Sequence, residues 1–204
     1  KRKKVLLRSG LESLYKYLSI ITMPFALIMF SFSDKIINVL YGEAYIPASI
    51  TLKILTIGMF IGTFHAINST FLSGIGKPQI NSKIVFIAAI FNLIANLILV
   101  PIMGIIGAAI TTTASLFIMA LMTMVKMRKF IEITFPIQIW IRTLVIGIMF
   151  LFAIWLLKKA ISLNIWIETF IVLTISSILY VALLFFFKVI NMNELKDLYK
   201  RIAK

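Results

Sequence analysis

The chain has 204 residues, of which 61% are hydrophobic and 14% charged, and its mean hydropathy is +1.06. Soluble domains are about half apolar and about a quarter charged, so the composition excludes an ordinary soluble protein and is typical of an integral membrane protein. A formal net charge of +14 would indicate nucleic-acid binding in a soluble chain, but in a membrane chain basic residues first report topology, and we expect no nucleic-acid partner.

Six apolar runs are long enough to cross a bilayer as helices, since a helix rises about 1.5 Å per residue and the hydrocarbon core is about 30 Å thick. The sequence predicts an all-α integral membrane bundle with a cytoplasmic basic segment at 1–13, a six-helix lobe at 14–189 and a cytoplasmic basic tail at 190–204. The six transmembrane helices are predicted at about 14–33, 48–72, 82–100, 105–125, 137–157 and 165–187. Because the chain begins with Lys1 and not Met, we expect a fragment or a processed piece of a longer protein.

The distribution of Lys and Arg predicts the orientation of the spans. Six spans place both termini on one side of the membrane, and seventeen of the 21 Lys and Arg residues fall on that side. Lys35, Lys53, Lys158 and Lys159 fall on the other side. The positive-inside rule therefore predicts a multi-pass protein of the cytoplasmic membrane with both termini of this segment in the cytoplasm.

Three connections between the spans have distinct patterns. Residues 33–49 combine apolar positions with Tyr41 and Gly42, which predicts a short amphipathic turn at the outer membrane interface. Residues 69–83, STFLSGIGKPQINSK, fit an inner hairpin and not a Walker-type phosphate loop, which would need glycine at 71 and a hydroxyl at 78. Residues 100–109 predict a tight outer hairpin in which Pro101 and Gly104 break the helix, so spans three and four should be neighbours.

Polar residues on the second span are the main candidates for a substrate site. At 100° per residue, four polar side chains fall within a right angle of Lys53: Ser49, Thr56, Thr63 and Asn68. A lysine inside a span costs about 2.5–3.5 kcal/mol on insertion scales, so it needs a partner or a water-filled cavity. The stripe favours a cavity wall that binds an anion, although for Lys53 alone snorkelling to the interface is an even alternative.

The remaining polar positions favour packing over chemistry. Asn92 and Asn96 share a face of span three, and His65 lies away from any carboxylate or cysteine. Pro24 bends span one where a transporter would need a hinge. We find no catalytic set and no metal-binding set, and the seven Asp and Glu residues all fall in loops or near span ends, so neither an enzyme, a metal, a cofactor nor a carboxylate proton relay is expected.

Three segments resemble a known family. LYGEAYIPASITLKIL (40–55), FLSGIGKPQI (71–80) and NLIANLILVPIMGIIGAAITTTAS (92–115), in that order, resemble the C-terminal half of polysaccharide biosynthesis membrane proteins. These are the oligosaccharide-lipid flippases of the superfamily that also contains multidrug exporters and the peptidoglycan lipid flippase. The resemblance covers about residues 11–130, and the last two spans match in hydropathy and placement alone.

The resemblance implies that the sequence is one lobe of a two-lobe transporter, whose N-terminal lobe would lie in a missing part of the same chain. It also implies a central cavity lined partly by spans one and two, in which cations bind the phosphates of a substrate. We therefore expect a flippase that exports a polyprenyl-phosphate-linked oligosaccharide by alternating access for cell-surface polysaccharide biosynthesis, in contact with membrane lipids. Lys53 would bind the phosphates, Ser49, Thr56, Thr63 and Asn68 the sugars, and Pro24, Gly58 and Gly62 would form the hinge.

Three alternatives remain open from the sequence. A multidrug exporter of the same superfamily would be expected to carry an acidic cavity, and this half has none. A membrane scaffold subunit without transport activity would use the polar stripe of span two for helix contacts alone. An integral membrane glycosyltransferase is disfavoured because no loop contains an acidic metal-binding motif.

Overall fold

The computed structural model describes residues 2–132, 136–160 and 165–190, and over these ranges the chain is all-helical. The predicted basic tail at 190–204 lies outside the described residues from position 191 onward. The helices are α1 (Arg2–Ser31), α2 (Ser33–Tyr41), a short 3-10 helix (Glu43–Ala48), α3 (Ser49–Gly74), α4 (Pro78–Met103), α5 (Ile105–Arg128), α6 (Ile137–Ala160) and α7 (Ile165–Phe186). Six helical segments within the described ranges are long and apolar enough to cross a membrane, as the sequence predicted.

Two helices extend beyond the ends predicted for their membrane spans. The first helix begins at Arg2, so α1 includes residues 2–13, and the assignment of residues 1–13 as a cytoplasmic basic segment stays a prediction. Arg8 and Glu12, one turn apart, form an ion pair of 3.0 Å on this extension. The fourth helix runs through Pro101 to Met103, and the break comes at Gly104, whose φ of +58° lies in the left-handed region that glycine adopts readily.

The connection between α3 and α4 is a tight turn, as the sequence predicted. The third helix ends at Gly74, Gly76 has a φ of +74°, and Pro78 opens α4 at a position where its missing N–H costs no hydrogen bond. The backbone N–H of Lys77 donates to the carbonyl oxygen of Leu72 over 2.8 Å and closes the turn. The stretch at 69–83 is therefore a hairpin between α3 and α4.

The described residues up to 132 form the first of two compact units. Within it, α3 packs against α1 and α5, and α5 packs against α4. Contact between α3 and α5 is close because Gly58 faces Thr113, whose hydroxyl donates to the carbonyl oxygen of Ile54 over 3.0 Å. Gly62, one turn further along, faces Leu116, so the two glycines form a small-residue packing motif.

The outward face of α4 is apolar over most of its length. Phe86, Leu93, Leu97 and Ile102 are exposed by 62% to 76%. In water such a surface would drive aggregation, whereas in a bilayer it faces hydrocarbon at no cost. This exposure supports the assignment of α4 as a membrane span.

The described residues from 136 onward form the second unit, in which α6 packs against α7. Ile146, Phe150 and Ile154 recur every four residues on α6 and are buried. The rings of Phe150 and Tyr180 meet edge to face at 5.4 Å, and the guanidinium of Arg142 donates to the carbonyl oxygen of Phe187 over 3.2 Å. The last two predicted spans are therefore an antiparallel helix pair.

Candidate functional site: a paired lysine on the third helix

Lys53 lies in the second turn of α3 and is paired with a carboxylate. Its Nζ lies 3.2 Å from Oδ2 and 3.4 Å from Oδ1 of Asp34, which belongs to the first turn of α2. The side chains of Lys53 and Asp34 are exposed by 31% and 54%. Lys53 is thus a half-exposed cation with a counter-ion, and an anion that approaches from outside the helix can reach it.

The position of Asp34 is set by the corner between α1 and α2, at residues 32 and 33. Phe32 and Ser33 are buried, and the Ser33 hydroxyl donates to the carbonyl oxygen of Phe30 over 3.1 Å. The ammonium of Lys35 lies 5.8 Å from the ring centre of Phe32. Because the corner is fixed by buried residues, the Asp34 carboxylate is held next to the start of α3.

Ser49 and Thr56 lie on either side of Lys53 along the chain, and both are buried. The Thr56 hydroxyl donates to the carbonyl oxygen of Leu52 over 2.7 Å. This bond uses the hydroxyl proton within α3 and leaves the oxygen lone pairs as acceptors. The role of Ser49 and Thr56 in binding sugars therefore stays a prediction.

Asn68 is at the centre of a buried polar network that joins three helices. The Tyr15 hydroxyl of α1 donates to Oδ1 of Asn68, and Nδ2 of Asn68 donates to Oγ1 of Thr123 on α5 over 3.2 Å. All three residues are fully buried. In this conformation Asn68 is inaccessible to a ligand, and its amide holds the helices together. The sugar-binding role predicted for it would require these contacts to open.

Thr63 lines an open groove of about 800 Å³ between α1 and α3. The other lining residues are almost all apolar, and they include Leu11, Leu14 and Phe71. The hydroxyl of Thr63 donates to the carbonyl oxygen of Phe60 over 2.7 Å. The groove is therefore better matched to a hydrocarbon chain than to a sugar.

The five predicted binding residues do not form one cluster. Thr63 lies ten residues beyond Lys53, and Asn68 fifteen, which corresponds to about 15 Å and about 22 Å along a helix. Lys53, Ser49 and Thr56 lie together at the start of α3. The candidate anion site is therefore limited to the start of α3, where Lys53 is paired with Asp34.

The predicted hinge residues occupy ordinary helix. Pro24 lies inside α1, which continues without a break from Arg2 to Ser31. Gly58 and Gly62 have a packing role, because a Cβ at Gly58 would come within 2.7 Å of Oγ1 of Thr113, and one at Gly62 within 3.3 Å of a Leu116 methyl carbon. The hinge role of these three residues stays a prediction.

Asn92 and Asn96, which the sequence assigned to packing, have contacts that fit that role. Nδ2 of Asn96 donates to Oδ1 of Asn92 over 2.8 Å, and Oγ1 of Thr111 on α5 donates to Oδ1 of Asn96 over 2.6 Å. Among the described residues, no three His, Asp or Glu side chains are grouped so that they could hold a metal ion.

Sequence reasoning missed the partners of the polar residues. Asp34 lies nineteen residues before Lys53, and Tyr15 and Thr123 lie more than fifty residues from Asn68. Asp34 offered one signal, since it was a carboxylate assigned to the same end of the bundle as Lys53. No periodic pattern connects residues on different helices, so the network around Asn68 had no comparable signal.

The chain is similar in sequence to known membrane proteins, and no family model matches it. The chain is 37% identical over 201 residues to an uncharacterized membrane protein of Methanocaldococcus jannaschii, an alignment that covers 98% of this chain and 39% of that protein. It is 27% identical over 176 residues to the probable low-salt glycan biosynthesis flippase Agl15 of Haloferax volcanii, covering 84% of this chain and 36% of that one.

A solved structure, the lipid II flippase MurJ in an inward closed conformation, shares the fold with a TM-score of 0.76. The sequence identity is 22%, and the match covers 92% of this chain and 40% of that structure. The chain thus spans less than half the length of each of these proteins. Its fold corresponds to one lobe of the flippase.

Proposed function

Because the chain belongs to the flippase family of multi-pass membrane proteins and corresponds to one lobe of their fold, we propose that it forms half of a lipid-linked oligosaccharide flippase. The complete transporter would move a polyprenyl-phosphate-linked oligosaccharide across the cytoplasmic membrane by alternating access, for cell-surface polysaccharide biosynthesis. The other lobe would be supplied by the rest of a longer chain or by a separate chain.

The observation that carries the proposal is the half-exposed ammonium of Lys53, which lies at the start of a membrane-spanning helix. A lysine ammonium is a compact charge with three donors, suited to the phosphate oxygens of a lipid-linked substrate. Ser49 and Thr56 lie on the same helix end, and their hydroxyl oxygens, which are buried in this conformation, would accept hydrogen bonds from sugar hydroxyls once the cavity opens. The apolar groove beside Thr63 is chemically matched to the lipid part of the substrate.

The distribution of basic residues supports an orientation with both termini of this segment in the cytoplasm. Lys53 would then lie near the outer surface, and the inner half of α3 would carry Thr63 and Asn68. In that orientation Lys53 receives the phosphates late in transit, when the cavity opens outward.

Transfer of lipid tests the proposed function. We expect the complete transporter, reconstituted in proteoliposomes with both lobes present, to move a fluorescent lipid-linked oligosaccharide between leaflets faster than protein-free liposomes do. Quenching of the label by a membrane-impermeant reagent measures the fraction transferred. A cationic dye offered in parallel tests drug export, and transport of the dye without transfer of the glycolipid would reject the proposal. Transfer of neither substrate by folded protein would favour the scaffold alternative.

A further inference from the structure

The contact between Asp34 and Lys53 has the geometry of a resident counter-ion. Both carboxylate oxygens face the ammonium, at 3.2 Å and 3.4 Å. The two residues come from different helices, so the pair bridges the corner between α1 and α2 and the start of α3. A phosphate that binds Lys53 has to share the ammonium with this carboxylate or displace it.

When the ion pair opens, the unpaired Asp34 carboxylate costs less free energy than the unpaired Lys53 ammonium. It lies in the first turn of α2, where the positive end of the helix dipole stabilises a carboxylate without help from a lysine. Its side chain is 54% exposed and therefore remains largely hydrated. Lys53 is less exposed and belongs to a candidate membrane span, where an ammonium without an anion is costly.

Displacement of Asp34 does not require the corner to unfold. Phe32 and Ser33 are buried, and the backbone N–H of Ile36 donates to the carbonyl oxygen of Phe32 over 2.8 Å, which fixes the backbone around Asp34. Rotation of an exposed aspartate side chain is enough to separate the charges. The pair is thus a contact that can open and close on a fixed scaffold.

We propose that Asp34 is the exchangeable counter-ion of Lys53, which holds the ammonium while the site is empty and leaves when a phosphate group binds. This inference rests on the proposed phosphate-binding role of Lys53 and adds a residue that competes with the substrate. Asp34 lowers the affinity of the site for anions, because an anion that binds Lys53 competes with the carboxylate for the ammonium. Weak anions are thereby excluded and the more highly charged phosphate groups are favoured.

Binding of inorganic pyrophosphate to the complete chain in detergent, measured by calorimetry, tests the exchange. We expect Asp34→Asn to tighten pyrophosphate binding by about two- to fivefold, which matches the strength of a partly exposed ion pair. Asp34→Glu, which keeps the charge, should bind as the wild type does. Glu12→Gln is the matched control, since it removes a carboxylate from the ion pair with Arg8 at the other end of the first unit.

Lys53→Gln should weaken binding, and adding Asp34→Asn to it should have no further effect. Unchanged or weaker binding in Asp34→Asn, or an equal gain in Glu12→Gln, would overturn the inference. No pyrophosphate binding by either the wild type or Asp34→Asn would also overturn it.

The two experiments distinguish failure of the inference from failure of the proposed function. Glycolipid transfer with no effect of Asp34→Asn on pyrophosphate binding rejects the exchange alone, whereas tightened pyrophosphate binding in a protein that transfers no glycolipid rejects the function alone.

Discussion

Gly107→Ala is expected to lower the thermal unfolding midpoint of the complete protein. A Cβ at this position would lie 2.5 Å from the carbonyl oxygen and 2.7 Å from the carbonyl carbon of Leu99. These are backbone atoms of α4, so a methyl group can be accommodated only if α4 and α5 move apart. Overpacking of this kind costs about 1–3 kcal/mol. Thermal unfolding in detergent, followed by the helical circular dichroism signal, measures the shift.

Gly10→Ala provides the matched control for this substitution. Gly10 also lies inside a helix, but a Cβ there meets no heavy atom within 4 Å. Alanine stabilises a helix interior by about 0.5–1 kcal/mol relative to glycine, so the control should leave the midpoint unchanged or raise it. Equal midpoints for Gly107→Ala and Gly10→Ala would show that the close contact between α4 and α5 is not formed.

The second large effect is expected at the buried network of Tyr15, Asn68 and Thr123. Asn68→Leu removes both hydrogen bonds of the amide, while Tyr15→Phe removes one. Hydrogen bonds between membrane helices contribute about 0.6 kcal/mol on average and up to about 1.7, and a buried polar group that loses its partner costs about 1–3 kcal/mol. We therefore expect Asn68→Leu to reduce stability by about 1–3 kcal/mol and Tyr15→Phe by less.

The double variant shows whether Tyr15 and Asn68 act together. The loss in Tyr15→Phe/Asn68→Leu should be smaller than the sum of the two single losses, because the second substitution removes a group that the first has already deprived of its partner. Thr70→Val is the control, since the hydroxyl of Thr70 donates to the carbonyl of Ala66 within its own helix over 2.9 Å. Additive losses would contradict the network.

The membrane spans could be predicted from hydropathy because a helix that crosses hydrocarbon needs an apolar run of fixed length. The predicted second span, 48–72, and the observed α3, Ser49–Gly74, differ by two residues or fewer at each end. The start of α1 was missed for a physical reason: a helix continues wherever its backbone is hydrogen-bonded, and the charged residues before Leu11 mark the end of the apolar run but not of the helix. Pro101 misled the prediction because proline is tolerated inside membrane-spanning helices, where neighbouring groups or local helix adjustments satisfy the freed carbonyl.

The candidate site was predictable only in part. The cost of a charge in a span identified Lys53, and helical periodicity identified Asn68 as an unusual residue on the same helix. Their partners are on other helices, and the local pattern of one helix contains no information about its neighbours. The sequence therefore predicted a polar stripe on α3, but not that Asn68 is enclosed by Tyr15 and Thr123.

The most direct test of the phosphate site compares glycolipid transfer by the complete chain and its Lys53→Gln variant in proteoliposomes. Loss of a charge-assisted contact worth about 1.5–3 kcal/mol should slow transfer by about tenfold or more. Lys53→Arg keeps the charge and should retain more of the rate, and Lys77→Gln, at an exposed lysine in the turn between α3 and α4, should transfer as the wild type does.

Thermal unfolding of the same samples serves as the folding control, because a partly exposed pair such as Asp34–Lys53 contributes at most about 1 kcal/mol. Slow transfer by Lys53→Gln with a wild-type unfolding midpoint is the predicted result. Wild-type transfer by folded Lys53→Gln would contradict a phosphate site on this helix.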